Sequence, residues 1–378
     1  MILALFFTRG VSLETWVETG LFDREKLIYE EHLRSSNLER VYWLTYGSND
    51  AKIAKQLQLE GRLHPGIDVI TMPLIFKASI GKLFYSFFIP LLHRTCLKQA
   101  DIYKTNQMDG SWSAVLAKFF YGKPLIVRTG YTLSAFAKRM QKSKTRILIY
   151  QLMEWLAYKN ATCAIVTSEK DYKYISDTYK CLSSKLGILP NYIDTDLFKP
   201  RNIEKYIDRI VFVGRLNSEK NLFNLIKAIA KTDFTLDIYG KGELRDTLER
   251  HAKKESAQVN FKGIVPNDKL PNILIKYQYF IIPSLYEGMP KTLLEAMACG
   301  CICIGSDVEG INEVIQNEVN GFLSNGTDSE AVYNAICKAA VGNNQHIAHN
   351  AVETIHTRFS LDGIVKKEMQ YLKLINID

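Results

Sequence analysis

The chain has 378 residues, 47% hydrophobic and 23% charged, enough for two domains with full cores, which excludes a disordered or fibrous protein. No apolar run approaches the ~20 residues that span a bilayer, and the longest, Leu83 to Leu92, contains Ser86 and Pro90. The net charge of +8 is uneven: residues 1–200 hold 27 Lys+Arg against 18 Asp+Glu, residues 201–378 hold 21 against 22, and residues 51–150 hold 16 against 4.

Strand-like and helix-like stretches alternate along the chain, the mark of an α/β fold with parallel sheets. The N-terminal run Met1–Phe7 has no basic leader and meets Arg9 at once, so it reads as a first strand and the expected compartment is the cytoplasm. Further strands are predicted at 40–45, 69–72, 102–105, 125–128, 164–167 and 186–189, and helices at 24–35, 82–98, 111–121, 146–159 and 169–179. The segment 190–209 breaks the alternation with two prolines and three Asp residues, and reads as a linker. Strands follow at 209–213, 235–239, 259–262, 279–282 and 301–305, with helices at 221–231, 243–254, 291–299 and 328–341. The last stretch, 361–375, is amphipathic, with Ile364, Val365, Met369, Leu372 and Ile375 near helical spacing.

Seven cysteines, an odd number, agree with a reducing compartment. Cys299, Cys301 and Cys303 alternate, whereas zinc ligands sit at wider spacing, so they are expected as apolar fillers and no metal site is expected.

The most informative run is Glu287-Gly288-Met289-Pro290-Lys291-Thr292-Leu293-Leu294-Glu295. It follows an apolar strand, and its Gly288-Met289-Pro290 turn opens a helix. A helix start offers unpaired N–H groups and partial positive charge to an anion such as a diphosphate. Carboxylates beside such a site suit sugar hydroxyls. After the strand at 209–213 comes Gly214-Arg215-Leu216-Asn217-Ser218-Glu219-Lys220, which places two cations at another strand end. Gly240-Lys241-Gly242 lacks the third glycine of a dinucleotide fingerprint and reads as a tight turn. Arg128-Thr129-Gly130-Tyr131, Thr105–Ser111 and Arg9–Trp16 are polar loops that follow strands in the first half.

Together these motifs resemble the retaining family 4 glycosyltransferases, which have the GT-B architecture of two facing Rossmann-like domains with a cleft between them. The resemblance is strongest from Asn191 through Leu323, and the E-x7-E run carries most of it. It implies an acceptor-binding domain at 1–190, a linker at 191–208, and a donor-binding domain at 209–360, with helix 361–378 packing back on the first domain. It implies Arg215, Lys220 and Glu287 as catalytic, the cations at the diphosphate and Glu287 at the donor sugar. Glu295 would hold the ribose, Gly288, Met289 and Pro290 would pass their backbone near the sugar, Thr292 and Leu293 would donate N–H groups to the diphosphate, and the Ile264 backbone would meet the base. Gly10, Ser12, Asn106 and Arg128 are implied on the acceptor side.

The activity implied is retaining, metal-independent hexosyl transfer from a nucleotide-diphosphate sugar, without a cofactor, to a saccharide or lipid-linked acceptor in cell-surface polysaccharide or glycolipid synthesis. Many family 4 members carry a His at the end of the strand that here reads Arg128-Thr129-Gly130-Tyr131; this chain has none there and resembles the surface-polysaccharide transferases that read R-T-G-Y. Two stretches bear on an anionic membrane surface at the inner face of the membrane. The aromatic segment Ile80–Leu97 is expected to pack in the core, while the basic Lys138–Arg146 suits either solvent or a membrane. The competing readings are a nucleotide-sugar epimerase or glycosyl phosphorylase of the same fold, or a non-catalytic membrane-surface binding protein. Nucleic acid is not an expected partner, because the basic stretch lacks interleaved aromatics.

Overall fold

The computed structural model describes residues 1–130, 132–180 and 185–375, with the side chains of Arg139, Leu374 and Ile375 outside the described set. The chain divides into two compact units, Met1–Leu189 with Val365–Asp378, and Pro190–Ile364.

The first unit runs β1 (Ile2–Phe6), α1 (Leu13–Glu18), α2 (Phe22–Glu25), α3 (Leu27–Arg34), β2 (Arg40–Leu44), α4 (Asp50–Leu59), β3 (Ile67–Ile70), α5 (Ser79–Leu92), α6 (Arg94–Gln99) and β4 (Ile102–Thr105). It continues through α7 (Ser111–Tyr121), β5 (Leu125–Arg128), α8 (Leu133–Arg139), α9 (Lys144–Asn160), β6 (Cys163–Val166), α10 (Glu169–Thr178) and β7 (Leu186–Ile188). Its seven strands are ordered β3-β2-β1-β4-β5-β6-β7, and all neighbours are parallel. Parallel strands covered on both faces are apolar throughout, and Leu3, Ala4, Leu5 and Phe6 of β1 are all buried.

The second unit runs β8 (Tyr206–Val213), α11 (Leu222–Ile229), β9 (Thr235–Tyr239), α12 (Arg245–Lys254), β10 (Val259–Gly263), α13 (Pro271–Leu274), β11 (Tyr277–Ile282) and α14 (Lys291–Ala298). It ends with β12 (Ile302–Ser306), β13 (Phe322–Ser324), α15 (Ser329–Ala340) and α16 (Gln345–Arg358), after which α17 (Leu361–Ile375) carries the chain back into the first unit. Its six strands are ordered β10-β9-β8-β11-β12-β13, again parallel. Alternate residues of β11 serve opposite faces. Phe280 and Ile282 join Leu293, Leu294, Ile355 and Phe359 in one core layer. Tyr279 and Ile281 join Leu225, Ile226, Leu248 and Ile336 in the other.

Three cysteines, Cys299, Cys301 and Cys303, are fully buried beside this sheet, and desolvation pushes the Cys301 thiol up to about 11. Their role is packing, because a buried neutral thiol is inert.

The predicted helix at 82–98 is two helices, α5 and α6, and the expectation that its aromatics pack in the core does not hold. Tyr85, Ser86, Ile89 and Pro90 face inward, whereas Phe84, Phe87, Phe88 and Leu91 are exposed. The sequence permits either face to be buried; the inward one is chosen by hydrogen bonds to α7. Trp112 Nε1 donates to Ser86 Oγ at 2.9 Å, and Ser113 Oγ donates to the Ser86 carbonyl at 2.6 Å.

Within the first unit, α17 is held by a buried ion triad. Glu368 on α17 accepts from Lys104 Nζ of β4 at 2.5 Å and lies 3.0 Å from His32 Nε2 of α3, with all three side chains almost fully buried. Burial alone would raise the Glu368 carboxyl, but the Lys104 ammonium and His32 outweigh it and hold the group well below the usual carboxylate range. Desolvation pulls the Lys104 ammonium below its usual value, with Glu368 opposing. Tyr371 of the same helix packs on Gly187 of β7, where an added Cβ would come within 2.5 Å of the tyrosine ring.

Removing one member of a buried ion pair leaves an uncompensated charge, so Glu368→Ala is expected to cost about 3–5 kcal/mol. The double variant Lys104→Met with Glu368→Leu is expected to recover most of that loss in urea unfolding. A carboxyl with a depressed pKa stabilises above the unfolded value and loses that contribution as pH falls. The wild-type advantage over Glu368→Gln should therefore be complete above the usual glutamate value of about 4.3 and shrink below it.

Candidate functional site

In open parallel sheets, ligands bind beyond the carboxyl ends of the strands, where the strand order reverses. In the second unit that point lies between β8 and β11. The loops leaving these two strands are Gly214–Asn221 and Pro283–Pro290, the same two segments marked by sequence.

The structure joins them through an ion pair and two hydrogen bonds. Lys220 Nζ lies 2.5 Å from Glu287 Oε1, and both side chains are nearly buried, at 13% and 12% exposure. Ser284 Oγ donates to the same oxygen at 2.7 Å. Asn221 holds the loops from below. Its backbone is left-handed at φ 57°, and its Nδ2 donates to the Pro283 carbonyl at 3.0 Å and to the Thr327 carbonyl at 2.6 Å. The Leu285 N–H donates to the Glu219 carbonyl at 2.8 Å, a second tie between the loops.

Arg215 stands apart from this pair. Its side chain is 78% exposed, with Nη2 3.5 Å from Glu219 Oε1. Gly240-Lys241-Gly242, expected as a tight turn, is an irregular segment just before the turn at Glu243–Leu244, and it packs on the Arg215 loop. A Cβ at Gly240, where φ is 148°, would sit 1.8 Å from the Gly214 carbonyl, and one at Gly242 would sit 2.2 Å from the Leu216 carbonyl. The Leu216 N–H donates to the Lys241 carbonyl at 2.9 Å.

The Gly288-Met289-Pro290 turn is fixed from two sides. Asn191 Nδ2 donates to the Met289 carbonyl at 2.8 Å. Gly310, in the loop after β12, has φ 76°, and a Cβ there would sit 1.8 Å from the Gly288 carbonyl. The turn delivers the chain into α14, whose N-terminus carries no side-chain cap and no acidic residue in its first turn. This leaves the electropositive end of the helix for an outside anion. Thr292 is half-buried at this start. The Leu293 N–H donates to the Pro290 carbonyl at 3.1 Å, and its side chain is core.

Glu295, just over one turn into α14, is buried, and its Oε1 accepts from Asn267 Nδ2 at 3.0 Å. Asn267 follows β10 in the loop that begins at Ile264, whose side chain is exposed. At the start of the second unit, Asp194 Oδ1 accepts from the N–H groups of Asp196 and Leu197 at 3.0 and 3.1 Å and caps a turn.

The first unit has its own switch point, between β1 and β4. Gly10 follows β1 with φ 79° and open space where a Cβ would lie, so the glycine serves the backbone conformation. Arg9 Nε pairs with Asp109 Oδ1 at 3.1 Å across this point. Ser12 is the N-cap of α1, accepting from the Thr15 N–H at 3.0 Å, which accounts for its hydroxyl. Trp16 is core, stacked on Phe7 at 4.2 Å. Asn106 lies buried at the end of β4, and its N–H donates to the Phe6 carbonyl at 2.9 Å. Arg128 is half-buried at the end of β5, and the Gly130 N–H beyond it donates to Gln107 Oε1 at 2.8 Å. Tyr131 of this motif lies outside the described residues.

Sequence reasoning missed Ser284, Asn221, Asn267, Gln107 and Gly310. The first four are polar residues just past strand ends, a signal that was available. Gly310 has no sequence signal, because its importance comes from a carbonyl 22 residues away.

Residues 194–351 match the family model described as Glycosyl transferases group 1. The matched segment lies within the second unit. The chain is 29% identical over 262 residues to UDP-Gal:alpha-D-GlcNAc-diphosphoundecaprenol alpha-1,3-galactosyltransferase of Escherichia coli, over 63% of this chain and 66% of that one. Matches to three curated relatives span 44–66% of those relatives' lengths. Among solved structures, sucrose-phosphate synthase from Thermosynechococcus elongatus superposes with a TM-score of 0.79 over all of both chains at 19% identity. HepE of Anabaena, in complex with UDP and glucose, gives 0.74 over 99% of this chain and 100% of its own, also at 19%. The GT-B fold expected from sequence is borne out: the chain holds two doubly wound parallel sheets, of seven and six strands, like these structures.

Gly310→Ala is expected to push the Gly288 turn away from the start of α14. At about 1–3 kcal/mol for a strained position, the loss should appear as a lower urea midpoint, with secondary structure intact by circular dichroism.

Proposed function

We propose that the protein is a retaining glycosyltransferase that moves a hexosyl residue from a nucleotide-diphosphate sugar to a saccharide or lipid-linked acceptor in cell-surface polysaccharide or glycolipid synthesis. The observation that carries this reading is the Lys220–Glu287 pair at the switch point of a sheet belonging to the group 1 glycosyltransferase family, beside the uncapped start of α14. The UDP and glucose in the HepE complex and the lipid diphosphate in the name of the Escherichia coli relative support the same donor and acceptor classes.

In glycosyl transfer the diphosphate leaves the anomeric carbon as an oxocarbenium-like centre forms, and negative charge grows on the leaving oxygen. Fixed cations and N–H groups at that oxygen stabilise the transition state more than the ground state. Lys220 is the held cation of this site, and the α14 start adds a partial charge worth about 0.3–1 kcal/mol. Exposed Arg215 supplies a second, adjustable cation from the rim. With two cations for the diphosphate, the reaction is proposed to need no metal and no cofactor.

Glu287 keeps Lys220 oriented and presents its carboxylate to the sugar hydroxyls. Glu295, positioned by Asn267, takes the ribose, and the backbone after Ile264 meets the base. Retention is proposed to follow from same-face attack by the acceptor hydroxyl, with Asn106 and Arg128 on the acceptor side. The enzyme is placed in the cytoplasm at the inner face of the membrane.

A screen of UDP, GDP, ADP and TDP sugars for thermal stabilisation and slow hydrolysis without acceptor tests the reading; failure of all four to bind ends it. Lys220→Ala is expected to lower kcat by about 10²–10³-fold, as for loss of one transition-state donor. Glu295→Ala is expected to weaken donor binding by about 1.5–3 kcal/mol, read as a higher KM.

A further inference from the structure

We infer that α5, α7 and α9 form a docking face that seats shallowly in an anionic phospholipid bilayer, apolar side chains in the acyl boundary and cations at the phosphates. Helices that cover a sheet normally turn apolar residues inward and polar residues outward. Here large apolar residues are also turned outward. The inward face of α9 carries Glu154, buried, which accepts from the Ser134 N–H at 2.9 Å, Ser134 Oγ at 2.6 Å and Tyr179 Oη at 2.7 Å. Its outward face carries Leu148, Ile149, Leu152, Trp155 and Leu156, with Leu152 62% exposed. On α5 the outward residues are Phe84, Phe87, Phe88 and Leu91, and on the end of α7 Phe119 is 84% exposed.

These faces adjoin. Ser86 and Pro90 of α5 bond to Trp112, Ser113 and Tyr121 of α7, and α7 also packs against α9. Single exposed hydrophobics are ordinary, but a face of this extent marks an interaction site.

Charge selects the occupant. Exposed cations border the face at Lys77, Arg94, Lys98, Lys144, Arg146 and Lys159. The helices α5 to α8 contain no Asp or Glu, and the one carboxylate of α9 is the buried Glu154. Lys159 Nζ lies 4.7 Å from the Trp155 ring, so a cation and an aromatic share one edge. Against a second copy of this chain, such a face would set cations on cations. Against anionic lipid, every charge is matched, and aromatic and Leu side chains suit the interface. Among the described residues no helix is long and apolar enough to cross a membrane, so the mode is surface seating.

The inference is separate from donor chemistry and is tested without turnover. Full-length protein is floated with vesicles of phosphatidylcholine alone or mixed equally with phosphatidylglycerol. Binding is expected to the anionic vesicles and to weaken with salt. The variant Leu148→Gln/Leu152→Gln/Trp155→Gln is expected to lose at least about tenfold in binding, as each buried side chain contributes strongly at an interface. Lys144→Gln/Arg146→Gln/Lys159→Gln should lose about fivefold per cation. Wild-type protein should show a blue-shifted tryptophan spectrum on anionic vesicles, and Trp155→Phe should abolish the shift. UDP calorimetry on every variant is expected to match wild type, so a failure here is distinguishable from failure of the donor site. Equal vesicle binding by the apolar variant overturns the inference, as does a dimer in sedimentation that the apolar variant abolishes.

Discussion

Lys220 and Glu287, 2.5 Å apart, join two loops that leave the sheet in opposite directions at its switch point. Diverging loops open a space where backbone groups face a ligand, and something must keep them from spreading. The pair does this with charge, in a nearly desolvated setting where an ion pair is stronger than in water. Asn221, Ser284 and the Leu285 N–H add neutral hydrogen bonds around it. In the proposed reaction the same lysine also supplies positive charge to the leaving diphosphate, so that one side chain would serve both restraint and charge.

Glycine makes the rest of the site possible. At Gly240, Gly242 and Gly310 the approaching atom is a backbone carbonyl, which cannot swing aside as a long side chain can. Loops from β8, β9, β11 and β12 are therefore in backbone contact, with little volume between them. A ligand held there meets main-chain dipoles whose positions are set by packing, the preorganisation that charge-stabilising sites require.

The alternation of elements was legible because parallel strands are nearly continuous apolar runs, and Ile102–Thr105, Leu125–Arg128 and Thr235–Tyr239 fall where the sequence put them. The short β13 and the helices α4 and α16 were missed; β13 has three residues, and α16 is rich in His, Asn and Thr, with a weak apolar stripe. The Glu287–Glu295 run was legible because its chemistry is local. Its partners were not: Asn267 and Gly310 act through space. The outward aromatics of α5 were misread because periodicity reports that a helix has an apolar side but not which way that side points. Only Ser86 and its α7 partners decide that, and they are 26 and 27 residues apart.

The triad of His32, Lys104 and Glu368 gives the first unit a non-contiguous sequence. Its last essential charge arrives 264 residues after the lysine it neutralises. A fragment ending at Leu189 would keep the ammonium in its apolar setting and discard the counter-ion, so the polypeptide up to the apparent boundary is not an autonomous building block. Swapping the first unit between related chains calls for transplanting α17 together with it, or for a permuted chain in which that helix precedes β1.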